Sequence, residues 1–159
     1  MDLYDWLLAL HLLAAAALVA ALTLFTAMVL GSRGANVPSA VARFWGLGRF
    51  GTVIVSLGTL GTLIFGIWLA IEVDAYQVWD GWILAAIVLW AISSETGRRS
   101  GIPFTAAGKR ARELLADGND SPDAELGALM GDSRAFLFHW ITVAGTLAIL
   151  VLMIYKPGA

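Results

Sequence analysis

The chain has 159 residues, of which 59% are hydrophobic and only 14% are charged, and its mean hydropathy is +0.79. This composition excludes an ordinary soluble domain and indicates a membrane protein. The net charge of −2 gives no reason to expect nucleic acid as a partner, and the absence of cysteine excludes disulfides and thiolate metal sites.

Four apolar segments have about the length of a membrane crossing, which takes roughly 20 residues. They are residues 4–30, 51–72, 80–97 and 135–155. We therefore predict an all-α, polytopic protein of one integral membrane domain (1–159), with four transmembrane helices in a bundle. The front end of the first segment carries Asp2 and Asp5 instead of Lys or Arg, and its apolar run is about twice as long as a signal-peptide core, so we expect it to remain in the protein.

The first segment contains one imidazole, His11, within "WLLALHLLAAAALVAALTLF". A polar ring in an apolar helix needs a hydrogen-bond partner, a metal or cofactor, or an aqueous edge. Two interpretations of His11 follow. It is a structural hydrogen-bonding residue, or it binds a cofactor or handles a proton.

The link after this segment reads "GSRGANVPSAVARFWGLGRFG". Its Gly, Pro and Ser predict a turn, and the following Arg, Phe and Trp residues form an amphipathic stretch that we expect in the headgroup region.

The second segment has a face of small residues, because Gly58, Thr62 and Gly66 recur at every fourth position. Such a face lets another surface come close. That surface could be a neighbouring helix, a second copy of the chain or a flat cofactor.

The link between the third and fourth segments, residues 98–134, is predicted to be cytoplasmic and to hold two short helices. Thr105 is expected to cap the first helix, "AAGKRARELLAD", which Gly118 would end, and Ser121 to cap the second, "SPDAELGALMG". About 37 residues cannot bury a core of their own, so these helices would dock a partner or lie on the membrane. Glu95, just before this link, should pair with Arg99 four residues later.

The fourth segment contains the other histidine, His139. His11 lies early in an inward helix and His139 early in the last helix, which begins on the opposite side, so their backbones should be more than ~10 Å apart along the membrane normal. One heme iron bound by both histidines of a single chain is therefore not expected. His11 could instead share a metal with a second ligand, such as the same residue of a second copy; His139 is the weaker candidate for a metal.

Nine of the ten Lys and Arg residues lie in the two longer links. By the positive-inside rule, both links are cytoplasmic and both termini are outside, in a bacterial inner membrane.

The stretches "WLLALHLLAAAAL", "DGWILAAIVLW" and "ILVLMIYKPG", with the glycine-rich second segment, resemble the HemJ-type protoporphyrinogen oxidases, the CopD-like domains and a related uncharacterised group of integral membrane proteins, which is the most similar of the three. The resemblance implies a four-helix membrane fold and associates His11 with heme b. HemJ-type proteins carry a basic residue late in the first helix and a lysine in the third, whereas "LTLFTAMVL" and "GWILAAIVLW" have no cation. This difference argues against protoporphyrinogen oxidation.

Two functional hypotheses remain. In the first, His11 is an axial ligand of heme b for a redox role, the small face of Gly58, Thr62 and Gly66 leaves room for the porphyrin, and its propionates point outward. In the second, the protein is a non-enzymatic membrane scaffold or auxiliary subunit, a homo-oligomer or a partner of another membrane protein, with structural histidines.

Overall fold

A computed structural model describes residues 2–72 and 77–157 of the chain. The all-α prediction is confirmed, and no strand occurs in these two ranges. The helices are α1 (Leu3–Gly31), α2 (Pro38–Glu72), α3 (Gly81–Ala116), α4 (Ala124–Met130) and α5 (Ser133–Tyr155).

Three stretches of the described chain are long and apolar enough to cross a membrane: Leu3–Gly31, Pro38–Glu72 and Ala124–Tyr155. α3 is not among them, because its apolar first half gives way to charged residues at Glu95. Large side chains on the outside of the bundle, such as Leu13, Leu57 and Ile154, are at least 68% exposed. Exposed apolar surface of this kind, together with the three apolar stretches, indicates a membrane protein.

The long helices form two antiparallel hairpins. α1 packs along α2, α3 packs along α5, and the hairpins meet mainly where α2 lies against α3. α1 and α5 make few contacts with each other. At the end of α1, Thr26 contacts His139, and just after α1 the Arg33 guanidinium lies 4.1 Å from the Phe136 ring centre. We call this end of the bundle the basic end, and the end where α1 begins and α5 finishes the terminal end.

The basic end has its own compact core, which the sequence analysis did not predict. The first part of α2, the last part of α3 and α4 come together there around six buried side chains: Val41, Ala107, Ala111, Leu114, Leu126 and Met130. Trp45 covers Gly108, and the guanidinium of Arg112 lies 3.9 Å from the indole ring centre. The predicted headgroup stretch is therefore part of α2, packed against α3.

The prediction of a separate helix at residues 106–117 is wrong. α3 runs without a break from Gly81 to Ala116 and includes Pro103. Thr105 is not a cap, because its hydroxyl donates to the Gly101 carbonyl within the helix. The helix continues because Ala107 and Ala111 are fully buried in the basic-end core, so packing compensates for the main-chain bond lost at proline.

The second short helix is present, but Ser121 is not its cap. α4 begins after Asp123, whose carboxylate accepts the Leu126 N–H at 2.9 Å and lies 3.3 Å from the Arg110 guanidinium. An aspartate can both accept this bond and pair with a cation, so it is the stronger cap here. The prediction that Gly118 ends the helical stretch before it is confirmed, although that stretch is the last part of α3: Gly118 adopts a positive φ of 72° directly after the capping residue.

Candidate ligand cavity

The small face of α2 packs on α1 over most of its length. A Cβ added to Gly58 would lie 2.8 Å from the Leu18 nitrogen and 3.0 Å from the Ala14 carbonyl oxygen. Main-chain atoms of α1 therefore fill the space beside Gly58, and of the three surfaces predicted for this face the structure has a neighbouring helix at this position.

One turn towards the terminal end from Thr62, Gly66 faces a side chain instead of main chain. A Cβ at Gly66 would lie 2.9 Å from Cε1 and 3.2 Å from Nδ1 of His11, so the glycine leaves the space that the imidazole occupies. Nε2 is further from this position, at 3.9 Å. From the sequence, His11 was a candidate as an isolated polar residue and Gly66 as part of the small face of the second segment. The fold places these two residues in contact.

The two ring nitrogens of His11 have different surroundings. Nδ1 is buried and makes no hydrogen bond of good geometry within the described residues, although the Thr62 backbone lies beside the ring. The Thr62 hydroxyl is engaged elsewhere, since it donates to the Thr59 carbonyl at 3.0 Å. Nδ1 is the ring nitrogen closer to Gly66 of α2, and the described residues leave it without a hydrogen-bond partner.

His11, Thr62 and Gly66 border a cavity of about 380 Å³ between the two hairpins. Residues of α1 and α5, two helices that make few contacts with each other, both contribute to its lining. A volume of this size is within the range of small-molecule sites. Its walls are mostly apolar, and Leu8, Ile67, Ala86, Ile87, Leu150 and Met153 are among the residues that form them.

Two tryptophans of α3 form one wall of the cavity. Trp82 is buried, and the Trp90 indole N–H donates to the Thr59 carbonyl at 3.0 Å, which fixes the ring between α2 and α3. The sequence analysis gave neither residue a role in a site. Their spacing of eight places them on one helix face, but only the tertiary fold shows that this face borders a cavity.

Among the described lining residues, polar groups are few. The buried Thr146 lies on α5, while Tyr4 and Lys156 lie at the terminal end of the bundle. Lys156 is the residue directly after α5 and the tenth cation of the sequence.

His139 lies at the other end of the bundle and is only 3% exposed. Its Nε2 is 3.0 Å from the Thr26 hydroxyl oxygen, and that hydroxyl is 2.8 Å from the Leu22 carbonyl. A hydroxyl can donate one hydrogen bond and also accept, so Thr26 can interact with both groups. His139 thus joins α5 to α1 through Thr26.

The two histidines are far apart, in agreement with the expected depths. Thr26, the partner of His139, follows His11 by 15 positions on the same helix, which corresponds to about 22 Å along its axis. His139 is not among the residues that line the cavity. One metal ion cannot contact both imidazoles of a single chain, and no group of three or more possible metal-binding side chains occurs among the described residues.

A second polar contact, between α3 and α5, was not predicted. The hydroxyls of Thr96 and Thr142 are 2.8 Å apart, and Ser93 lies against Gly145. Both segments carry small or hydroxylated residues three positions apart, and this pattern in the sequence could have indicated the interface. The expected pairing of Glu95 is confirmed, with Arg99 at 2.6 Å and also Arg98 at 2.8 Å.

Comparison of the chain with family models, curated proteins and solved structures found no match.

Proposed function

We propose that the protein is a bacterial inner-membrane protein with four crossings, in which the apolar first half of α3 is the fourth. This half lies in the bundle beside α2 and α5, and Trp82, Ile83 and Ala86 are buried there. The basic end then faces the cytoplasm, because it holds Arg33, Arg98, Arg99 and the other cations except Lys156. Both termini are outside in this arrangement.

We further propose that the cavity binds heme b, with His11 as an axial ligand. The observation that carries this proposal is an imidazole in the cavity wall whose buried Nδ1 has no hydrogen-bond partner among the described residues. Ligating histidines commonly direct their second nitrogen to a backbone carbonyl or carboxylate, and the Thr62 backbone is beside the ring.

The other residues present fit such a group. Trp82 and Trp90 offer flat apolar surfaces, and Gly66 keeps the imidazole close to α2. Gly58 was predicted to leave room for the porphyrin, but it packs on α1 instead. This packing fixes the relative position of α1 and α2 and so brings His11 opposite Gly66. Bound heme would supply one-electron chemistry, while the chain would exclude water and orient the ligand.

The visible spectrum of detergent-purified protein tests this proposal. We expect a Soret band after heme supplementation and its loss in His11→Ala, because no other histidine borders the cavity. His139→Gln is the matched control, since it changes the other intramembrane imidazole; its absorbance should match that of the unchanged protein. Iron at background after supplementation, or an equal Soret band in His11→Ala, would reject heme binding at His11.

The second candidate function is a non-enzymatic scaffold, homo-oligomeric or bound to another membrane protein. The satisfied hydrogen bond of His139 favours it, because that histidine has a structural role without a cofactor. In this case His11→Gln should leave folding and assembly unchanged, and the purified protein should be colourless. The basic end is less suited to docking than the sequence suggested, because Leu126 and Met130 of α4 are buried in its core.

A further inference from the structure

The cations of the basic end differ in whether a carboxylate pairs with them. Four cations of α3 have a carboxylate oxygen within 4.0 Å: Arg98, Arg99, Lys109 and Arg110. In the described part of the chain, Arg43, Arg49 and Arg112 have no such partner. Glu113, which follows Arg112, lies 4.0 Å from the Lys109 ammonium instead. The charges of these three arginines are therefore available to a ligand.

The ring of Trp45 brings two of these arginines together from different helices. The guanidinium of Arg112, on α3, lies 3.9 Å from the ring centre, and that of Arg49, on α2, lies 5.0 Å from it. Arg112 also donates from Nε to the Gly108 carbonyl of its own helix, at 3.4 Å. Two like charges on one ring repel each other, so the pair favours an anion. Arginine is especially suited to phosphate, because its planar group can donate two parallel hydrogen bonds.

Exposed apolar side chains lie beside these arginines on α2. Leu47 and Phe50 are 56% and 69% exposed, and they follow Arg43 by four and seven residues, which places all three on one helix face. Arg49 precedes the apolar run that begins at Gly51 by two residues, or about 3 Å along the helix axis. A headgroup layer is roughly 5–7 Å thick. In a membrane crossed by this run, the arginines lie at the level of the lipid phosphates and Phe50 lies next to the acyl chains.

The charge along this part of the sequence is of one sign. Between Asp5 and Glu72 the sequence has three arginines and no carboxylate, so α2 carries only positive side chains before its last residue. Tryptophan, the residue that holds Arg49 and Arg112 together, is itself enriched at membrane interfaces. Charge complementarity and the neighbouring apolar side chains together favour a ligand that joins a negative headgroup to acyl chains.

We propose that this surface is a binding site for the phosphate of an anionic phospholipid. We call it the arginine site, and it consists of Arg43, Trp45, Arg49 and Arg112. The guanidiniums donate hydrogen bonds to the phosphate oxygens, and the exposed apolar side chains of α2 contact the acyl chains. The arginine site is separate from the cavity and requires no heme.

Binding of phosphatidylglycerol and phosphatidylcholine with the same acyl chains to the full-length protein in neutral detergent, followed by native mass spectrometry, tests the proposal. The choline group of the second lipid neutralises its phosphate, so we expect phosphatidylglycerol to bind more tightly. Arg49→Gln combined with Arg112→Gln should weaken its binding about thirtyfold, since each arginine near an anionic headgroup contributes about fivefold. Arg49→Lys combined with Arg112→Lys keeps both charges and should retain the preference, which separates charge from folding.

Arg98→Gln combined with Lys109→Gln is the matched control. It removes the same charge from the same end of the bundle, but both of these cations are paired with carboxylates, so the preference for phosphatidylglycerol should remain. His11→Ala should also retain it, whatever its effect on heme, because His11 borders the cavity and not the arginine site.

Three results overturn the proposal. The first is equal binding of the two lipids by the unchanged protein, and the second is an equal loss in the glutamine variants of paired and unpaired cations. The third is binding of glycerol 3-phosphate as tight as that of phosphatidylglycerol, because the ligand is then a free phosphate compound and the apolar side chains contribute nothing.

Discussion

At the residue scale, the hydrogen bond between His139 and Thr26 predicts a measurable stability effect. Thr26→Val removes the hydroxyl and leaves the buried Nε2 of His139 without its hydrogen-bond partner. We expect the free energy of unfolding to fall by about 1 kcal/mol, a typical cost in water that is close to values within membranes. Unfolding by denaturing detergent, followed by circular dichroism, measures it.

The matched control is Thr23→Val, one turn earlier on α1. The Thr23 hydroxyl donates only to the Val19 carbonyl of its own helix and is exposed. Its replacement should change stability by less than half as much. If the two variants have the same free energy of unfolding, the hydrogen bond between Thr26 and His139 contributes nothing to stability.

Asp123 predicts a pH dependence of the basic end. The Leu126 N–H lowers the pKa of the Asp123 carboxyl, and Arg110 lowers it further. A depressed pKa means that the ionised form stabilises the fold above the ordinary value, about 4, and that this stabilisation is lost as pH falls through the folded pKa. The native protein should therefore be more stable than Asp123→Asn at neutral pH, by a margin that shrinks in acid.

Thermal unfolding across this pH range checks the prediction. Asn still accepts the capping hydrogen bond, so the comparison isolates the charge. A constant difference between the two proteins from neutral to acidic pH would show that the Asp123 charge does not contribute.

At the residue scale, the sequence-based predictions are confirmed where the interacting residues lie on the same helix. The pairing of Glu95 with Arg99 and the position of Gly118 follow from spacing along one helix. Thr105 and Ser121 also fit capping patterns, but neither begins a helix. α3 continues through Thr105 because Ala107 is buried in the basic-end core. α4 begins after Asp123 instead of Ser121 because the Asp123 carboxylate accepts the Leu126 N–H. The partners of His11 and His139 lie on other helices, and no sequence spacing reveals them.

At the element scale, the contact between α1 and α2 depends on glycine. Gly58→Ala should push the helices apart, because the new methyl group would meet main-chain atoms of α1 that cannot rotate away. We expect a loss of about 1–3 kcal/mol, the usual cost of overpacking, and a weaker Soret band if heme is bound, since His11 shifts with α1.

Gly46→Ala provides the control for Gly58→Ala, because both glycines lie within α2. A Cβ at Gly46 meets nothing within 4 Å, so the gain in helix propensity should leave stability unchanged or raise it by up to about 1 kcal/mol. Equal effects of the two substitutions would mean that α1 does not pack closely at Gly58.

The length of α3 shows why element boundaries were harder to predict than element type. Gly101 and Pro103 are ordinary signals for a helix end, and charged residues begin at Glu95. The helix nevertheless continues, since its last part contributes Ala111 and Leu114 to a core with α2 and α4. Such a core depends on contacts between residues about 70 positions apart, which hydrophobic periodicity along one segment does not report.

At the scale of the whole molecule, the proposed orientation predicts the location of both ends. A reporter active only outside the cytoplasm should be active when fused after Pro157 and inactive when inserted at Asn119, between α3 and α4. The reason is that nine cations hold the basic end inside. An active insertion at Asn119, or an inactive fusion after Pro157, would reverse or reject this topology.

Composition was sufficient to predict an all-α membrane protein, because 59% hydrophobic residues in long runs leave few other folds. The cavity was beyond prediction, since its lining comes from α1, α2, α3 and α5 together. Two of its polar residues were predicted to belong to a site: His11, from its isolation in an apolar helix, and Thr62, from the small face of α2. Lys156 was not, because its place in the lining depends on where α5 ends.

An experimental structure of the protein purified from membranes, without added ligand, tests the central claim most directly. We predict density in the cavity between the hairpins, in contact with the imidazole of His11. A structure in which α1 and α5 close on each other at His11, so that side chains fill this space, would contradict the account.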